Sequence, residues 1–343
     1  MLTRREFAVL AASGLVTVRL KADTTGESLK ADTTGESLKA DTTRESLKAD
    51  TTGETGAAIS STVNGVRIGA QTYSFRDLPR PAGATDSIDV VIKALTAAGL
   101  TECELFAPQL EPQFSTGARG ASGAPPTPEA IKAREDLRKW RLETPLDYFR
   151  NARKKFDAAG VTIHAYCYNM NSSFTDAELN RGFEITKALG TTLMTTSTTM
   201  EVAKRLAPLA DKHKIVVGLH GHSNISDPNE FATPESFAAA MKLSSYLKVN
   251  LDIGHFTAAN YDPLAYIREH HANITNLHLK DRKKNQGDNV PWGQGDTPIR
   301  EVLQLLKREK WPIPADIEYE YRGQGDPVEE VTKCYAYAKQ ALA

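Results

Sequence analysis

The chain has 343 residues and carries 42 lysines and arginines against 43 aspartates and glutamates, which gives a net charge of −1. This balance argues against a protein that binds nucleic acid, because such proteins present a basic face to the phosphate backbone. Three cysteines without C-x-x-C spacing argue against a disulfide framework and a cysteine zinc site. The hydrophobic content of 40% is ordinary for a soluble protein with a large core.

The first eighteen residues are typical of an export signal. Arg4 and Arg5 precede an apolar stretch over residues 8–18, a pattern that resembles a twin-arginine signal. The stretch is too short for a transmembrane helix, which needs about 20 apolar residues. No clean A-x-A cleavage site follows it. We therefore expect an exported, periplasmic protein with no membrane segment in its mature form, and a cytoplasmic protein if the signal is not used.

Residues 19–63 are dominated by a nine-residue repeat, SLKADTTGE. One apolar residue in each unit cannot bury a core. The lysine, aspartate, threonine and glutamate of every unit favour a solvated tether, so this segment is predicted to be disordered. A tandem duplication without function is the simplest interpretation.

Residues 64–343 alternate short apolar runs with helical patterns, as a parallel α/β protein does. Eight strands are predicted, over Val66–Gln71, Glu102–Phe106, Val161–Tyr166, Thr192–Thr196, Ile215–His220, Leu247–Asp252, Ile274–Leu279 and Ala315–Tyr319. Helices are predicted between and after them, over Ser87–Gly99, Pro145–Ala159, Asn180–Gly190, Met200–His213, Pro234–Leu243, Pro263–His270, Pro298–Glu309 and Val328–Leu342. Eight such units without a glycine-rich dinucleotide fingerprint predict a single-domain (β/α)8 TIM barrel.

Two local features accompany these elements. Thr144 is the predicted N-cap of the helix over residues 145–159, and Gly160 its end. Residues 107–143 interrupt the second unit, with a charged helix expected over Glu129–Arg141. An insertion of this length is either a functional lid or a surface decoration, and both alternatives stay open.

The chemistry is expected where barrel strands end, because catalytic groups of TIM barrels lie at that face. Polar side chains that follow or end the predicted strands are Glu104, His164, His220, His222, Asp252, His255, His278, Lys280, Asp281, Glu318 and Glu320. The fifth to eighth strands each supply one metal-competent side chain, from His220, Asp252, His278 and Glu318. Adjacent strands lie about 4.8 Å apart, so these four groups can meet on one ion. Two imidazoles and two carboxylates suit Mn²⁺, Co²⁺, Fe²⁺ or Zn²⁺.

Five short motifs resemble the xylose isomerase-like sugar phosphate isomerase/epimerase superfamily. They are Leu219–His222, Leu251–His255 with the pattern D-x-G-H, Asn276–Asp281 with H-x-K-D, the glycine loop Trp292–Asp296, and Ile317–Glu320. The resemblance extends from the first predicted strand to the C-terminus. It implies one divalent ion that binds vicinal oxygens of a small carbohydrate and polarises a carbonyl or enediolate oxygen.

The resemblance also implies roles for individual residues. Glu318 would be a metal ligand and the base, and His255 would bind the substrate and take part in catalysis. Lys280 is a further catalytic candidate, while His222, Glu104 and Trp292 are expected to contact the substrate. Glu104 could alternatively pair with an arginine. His222 and Lys280 could alternatively lie in solvated loops without contacting the substrate.

One position departs from the family. Ketose 3-epimerases carry a glutamate where this chain has His220, and a metal-bound imidazole is a poor proton acceptor. This favours one-base isomerisation, or β-elimination from a keto-sugar, over epimerisation with two opposed bases. Three alternatives remain beside the isomerase: a lyase or hydrolase of 3-keto-glycosides, a non-catalytic sugar-binding protein, and a nuclease branch with His164 and Glu104 as its extra ligands. No nucleic-acid partner is expected, and a homo-oligomer is left open.

Overall fold

The computed structural model describes residues 60–114, 126–323 and 325–343. The predicted export signal and nearly all of the predicted tether lie outside these residues. Within them, no helix is long and apolar enough to cross a membrane.

Eight parallel strands close into a barrel, which confirms the predicted fold. The strands pair in chain order from β2 to β9, and β9 pairs with β2 to complete the ring. A short strand, β1, runs antiparallel to β2. The strands are β1 Thr62–Val63, β2 Val66–Gln71, β3 Glu102–Phe106, β4 Thr162–Cys167, β5 Leu193–Thr196, β6 Val216–His220, β7 Leu247–Asp252, β8 Ile274–Leu279 and β9 Ala315–Ile317.

Helices surround the barrel and bury its outer face. They are α1 Ile88–Ala97, α2 Pro128–Glu143, α3 Leu146–Ala158, α4 Asp176–Ala188, α5 Met200–His213, α6 Pro234–Met241, α7 Ile253–Ala258, α8 Pro263–His270, α9 Ile299–Glu309 and α10 Pro327–Leu342. Side chains alternate along β7 between the apolar layer under the helices and the interior of the barrel. Leu247, Val249 and Leu251 belong to the apolar layer between strands and helices, while Asn250 and Asp252 lie on the opposite face, inside the barrel.

Strand β1 lies in the segment predicted to be disordered. The turn between β1 and β2 consists of Asn64 and Gly65, both with positive φ (47° and 86°). This is the conformation of a two-residue hairpin, for which Asn-Gly is the strongest short-range signal. The folded domain therefore begins before residue 64, where the sequence prediction placed its boundary.

Two helix boundaries differ from the prediction because of capping. The Thr144 hydroxyl donates to the Trp140 carbonyl at 2.6 Å, so Thr144 ends α2 and does not cap α3. Helix α4 begins at Asp176 and not at Asn180, because Thr175 and Glu178 form a reciprocal capping box. The six-residue helix α7 was not predicted, since its short length gives no periodic pattern.

Helix α2, in the insertion after β3, packs on the outer wall of the barrel. The Trp140 ring lies edge-on to Tyr148 and Phe149 of α3, with centroids 5.7 and 6.0 Å apart. Arg141 donates to Glu111 at 2.7 Å. This part of the insertion is therefore a surface element. Residues 115–125, on which the lid alternative also depends, lie outside the described residues.

Candidate metal centre

Four side chains from four consecutive strands meet at the carboxyl end of the barrel. His220 and Asp252 end β6 and β7, His278 lies one residue before the end of β8, and Glu318 directly follows β9. Each offers one ligand atom, and these atoms all lie within 4.8 Å of one another. The side chains are buried, with residue exposures from 1% for Asp252 to 9% for His220. The structure thus brings together the four residues that the sequence predicted as ligands.

Each of the two predicted histidine ligands also forms a hydrogen bond that fixes the orientation of its ring. His220 Nδ1 lies 2.7 Å from Asn250 Oδ1, which leaves Nε2 for the cluster. His278 Nε2 lies 2.8 Å from Glu104 Oε2, and its Nδ1 lies 3.1 Å from Glu318 Oε2. Metal-binding histidines are usually oriented in this way, by a carboxylate or carbonyl on the nitrogen that does not face the ion.

The donor set fits a divalent cation. Asp252 Oδ2 is buried and has no hydrogen-bond partner among the described residues, and the nearest charge is the Lys280 ammonium, 2.9 Å away. Lys280 compensates the charge of this carboxylate, but the oxygen still has lone pairs available for a further ligand contact. Two imidazoles with two carboxylates are a ligand set of borderline divalent ions.

Lys280 lies within the acidic part of the site. Its ammonium is 2.9 Å from Asp252 Oδ2, 2.9 Å from Glu318 Oε2 and 2.6 Å from Glu320 Oε2. Burial opposes the charge, but the three carboxylates outweigh it and raise the pKa of Lys280. Lys280 is therefore held as a buried ammonium between these three carboxylates. Its predicted catalytic role stays a prediction.

Glu104 lies beneath the four ligands and not at the mouth. It accepts hydrogen bonds from Gln71 and Thr195 at 2.6 Å, from Asn276 at 2.5 Å and from His278 at 2.8 Å. Burial alone would raise its pKa, yet the neighbouring His278 lowers it to about 2. The carboxylate has 0% exposure and both oxygens are used. The prediction that Glu104 contacts the substrate is therefore wrong. Glu104 instead orients His278 through a hydrogen bond.

Two further histidines line the opening. The side chains of His222 and His255 are 36% and 17% exposed, and their ring centroids lie 5.3 Å apart. Burial, followed by the neighbouring His220, lowers the pKa of His222 to about 4. Burial and the Lys280 charge hold the pKa of His255 well below its usual range. Both rings are thus neutral near pH 7, and their predicted contacts with a substrate stay predictions.

The glycine loop after β8, Trp292–Asp296, is held by hydrogen bonds from its backbone amides to the Asp281 carboxylate. Asp281 accepts from the amides of Gly293 at 2.7 Å, Gly295 at 2.9 Å and Thr297 at 3.2 Å. Trp292 lies in this loop, and its ring packs edge-on against Tyr337 of α10 with centroids 5.8 Å apart. The predicted role of Trp292 in substrate binding stays a prediction.

Asp281→Ala is expected to release this loop, because three amides lose their common acceptor. The amides of Gly293 and Gly295 should then exchange with solvent at least about tenfold faster, measured by hydrogen exchange, since each hydrogen bond contributes about 1 kcal/mol. Asp288→Ala, an exposed position in the same segment, is the control and should leave both rates unchanged. Equal exchange in the two variants would show that Asp281 does not hold the loop.

A layer of buried polar residues below the ligands was missed by the sequence prediction. Asn250, Asn276 and Asp316 each lie two residues before a ligand and so face the same interior. Asn276 Nδ2 donates both to Glu104 and, at 2.8 Å, to Asp316 Oδ2. A polar residue at every second position of an otherwise apolar strand was the signal that could have revealed this layer.

His164 belongs to this interior and not to the mouth. Its Nε2 lies 2.9 Å from Asp316 Oδ1, and its side chain is only 6% exposed. His164 and Glu104 were the extra ligands available to the nuclease alternative. Because both are engaged within the barrel interior, the geometry gives no support to that alternative.

Comparison with known proteins agrees with this architecture. Residues 92–337 match the family described as xylose isomerase-like TIM barrel. No curated protein matches the chain. A similar solved structure is a sugar phosphate isomerase/epimerase from Parabacteroides distasonis ATCC 8503, 19% identical, covering 83% of this chain and 98% of that one with a TM-score of 0.53.

Two other solved structures are similar at lower identity. The IolI protein with a bound zinc atom is 12% identical and covers 80% of this chain and 99% of its own, with a TM-score of 0.54. The 3-keto-D-glucoside 4-epimerase from E. coli, in its apo form, is 11% identical over 80% of this chain and 99% of its own, with a TM-score of 0.53. At these identities the likeness shows the fold alone.

Proposed function

Because this chain belongs to the xylose isomerase-like TIM barrel family, we propose that it is a divalent-metal-dependent isomerase or epimerase of a ketose or related keto-sugar. The observation that carries the proposal is the convergence of His220, Asp252, His278 and Glu318 within 4.8 Å at the mouth of the barrel. The zinc atom bound by the IolI protein and the reactions named for the other two similar structures support it.

The four side chains would hold one ion, of Mn²⁺, Co²⁺, Fe²⁺ or Zn²⁺. Such an ion supplies Lewis-acid polarisation of a carbonyl oxygen and lowers the barrier to proton loss at the neighbouring carbon. His255 and His222 lie at the opening, where they can bind sugar hydroxyls. Asn250 and Glu104 keep the ligand imidazoles in one orientation.

Two candidate bases follow the last strand of the barrel. Glu318 and Glu320 follow β9 two residues apart, and Lys280 contacts both carboxylates. At the end of β6, where a second, opposed base would be needed, His220 has Nδ1 engaged by Asn250 and Nε2 directed to the cluster. The geometry therefore favours transfer of a proton along one face of the sugar, as in isomerisation, over inversion through two opposed bases.

The same one-sided arrangement supports a second candidate. A base next to a polarised ketone can also remove a proton for β-elimination, which would cleave a 3-keto-glycoside. The similarity to a 3-keto-D-glucoside 4-epimerase makes this substrate class worth testing beside simple ketoses. A sugar-binding protein without catalysis is the remaining alternative.

Proton exchange in D₂O separates these functions. We expect the zinc-loaded full chain to incorporate deuterium at a carbon next to the carbonyl of a ketose or 3-keto-glucoside, observed by ¹H NMR of the sugar. Release of the aglycone would identify the lyase. Glu318→Gln, which retains size but loses both the base and a charged metal ligand, should stop the exchange. Absence of both deuterium and any new sugar product across both substrate classes, with the sugar bound, would identify a binding protein and contradict the proposal.

A further inference from the structure

Arg282 contacts the segments that follow three neighbouring strands at the mouth of the barrel. Its Nε and Nη2 donate to the Gly287 carbonyl at 3.0 and 2.7 Å. Its Nη1 donates to Ser223 Oγ at 3.0 Å and lies 2.6 Å from His255 Nδ1. Ser223, His255 and Gly287 follow β6, β7 and β8, respectively. The contacts with Gly287 and Ser223 therefore fix the position of the guanidinium independently of its contact with the imidazole.

This contact determines where His255 carries its proton. A guanidinium has five N–H donors and no acceptor, so a nitrogen 2.6 Å from Arg282 Nη1 has to accept. A proton on His255 Nδ1 would place two donors against each other. The ring proton then lies on Nε2. We propose that Arg282 is a positioning residue that fixes His255 as the Nε2–H tautomer, a hydrogen-bond donor to the substrate.

The free N–H of His255 is directed to the site. The His255 amide donates to Asp252 Oδ1 at 2.7 Å, and His255 Nε2 lies 3.9 Å from Asp252 Oδ2. The ring thus lies beside a predicted metal ligand and is 17% exposed at the opening. A substrate oxygen next to the ion can accept a hydrogen bond from it. In this tautomer His255 Nε2 has no lone pair with which to remove a proton, so His255 acts as a donor and not as the base.

The tautomer can be measured without any turnover. In the zinc-loaded full chain labelled with ¹⁵N-histidine, long-range ¹H–¹⁵N correlation distinguishes a ring protonated at Nε2 from one protonated at Nδ1. His255→Gln assigns the signal by its loss. We expect the Nε2–H pattern for His255 in the wild-type protein, and a mixture of tautomers in Arg282→Gln. A wild-type ring protonated at Nδ1, or at both nitrogens, would overturn the proposal.

The role of His255 as a hydrogen-bond donor to the substrate rests on the proposed function, and it can be tested by steady-state kinetics. Glutamine places its amide nitrogen near the position of Nε2, and asparagine near that of Nδ1. We expect His255→Asn to lower kcat/KM by about 100-fold, as the loss of one donor does, and His255→Gln to retain about tenfold more activity than His255→Asn. Equal loss in both variants would contradict the donor role.

A double-mutant cycle tests whether Arg282 acts through His255. Arg282→Gln should lower kcat/KM in the wild-type background, yet by less than about twofold when His255→Gln is already present. Arg282→Lys, which is also a donor without an acceptor, should restore part of the activity. Full additivity would assign Arg282 a separate role. If NMR finds the Nε2–H tautomer but no sugar is converted, the proposed function fails while the tautomer assignment stands.

Discussion

Asp252→Asn is expected to lower kcat/KM for the sugar by at least about 1,000-fold, because the Lewis-acid contribution of the ion amounts to several kcal/mol. Asp252 Oδ2 is a buried oxygen of the predicted ligand set that has no hydrogen-bond partner among the described residues, and substitution by the amide removes the charge of the carboxylate. The variant should also lose the stabilisation of about 2.7 kcal/mol that zinc confers at 100 times its Kd. Steady-state kinetics and thermal unfolding with and without zinc measure the two effects.

Asp89→Asn is the matched control for this prediction. Asp89 lies on α1, and its carboxylate is 76% exposed and paired with Lys155. The same change of charge at this position should leave both the activity and the zinc-dependent stabilisation unchanged. Zinc-dependent stabilisation that persists in Asp252→Asn would exclude Asp252 from the metal centre. Asp252→Asn also removes one of the three carboxylates around Lys280, which can change the stability of the metal-free protein. The quantity to compare between variants is therefore the gain in unfolding temperature that zinc produces in each of them.

Glu104→Ala is expected to lower the free energy of unfolding of the metal-free protein by about 3–5 kcal/mol, as the loss of one partner of a buried ionic contact does. Four donors inside the barrel lose their acceptor at once. The metal affinity should fall by about 10–100-fold as well, because His278 loses the carboxylate that orients it. Urea unfolding and metal titration give the two values.

Glu102→Ala provides the comparison on the same strand. Glu102 lies two residues before Glu104 and pairs with Arg67, whose side chain is 34% exposed. Partly solvated ion pairs contribute about 1 kcal/mol or less, so the effect on unfolding should be small and the metal affinity unchanged. If the two variants lose the same stability, the buried network under His278 is not a major contribution to the fold.

Much of the barrel could be predicted from the sequence because short apolar strands alternate with amphipathic helices such as α9. Strands β2, β3, β7 and β8 have the predicted bounds. At the end of α2 and at the start of α4, local hydrogen bonds of Thr144, Thr175 and Glu178 decided the boundary. Helix α7 depends on the Asp252 side chain as its N-cap, a contact between a metal-site residue and the His255 amide that no periodic pattern reveals.

The ligand set could also be predicted, because parallel strands in chain order bring their carboxyl ends to one face. The contacts around the ligands could not. Glu104 and His278 are 174 residues apart in the sequence, and Arg282 and His255 are 27 residues apart. Such pairs depend on side-chain direction and barrel closure, which a single sequence does not define. The role of Glu104 changed for this reason, from a residue at the mouth to the buried partner of His278.

Equilibrium metal binding to the demetallated full chain tests the metal centre most directly. We expect one ion of Mn²⁺, Co²⁺, Fe²⁺ or Zn²⁺ per chain, measured by isothermal titration and by metal analysis after gel filtration. His220→Ala and Glu318→Gln should each weaken binding strongly, while Asp89→Asn should bind as the wild type does. A wild-type chain that retains no divalent ion, or variants at His220 and Glu318 that bind it with unchanged affinity, would contradict the assignment of His220, Asp252, His278 and Glu318 as a metal site.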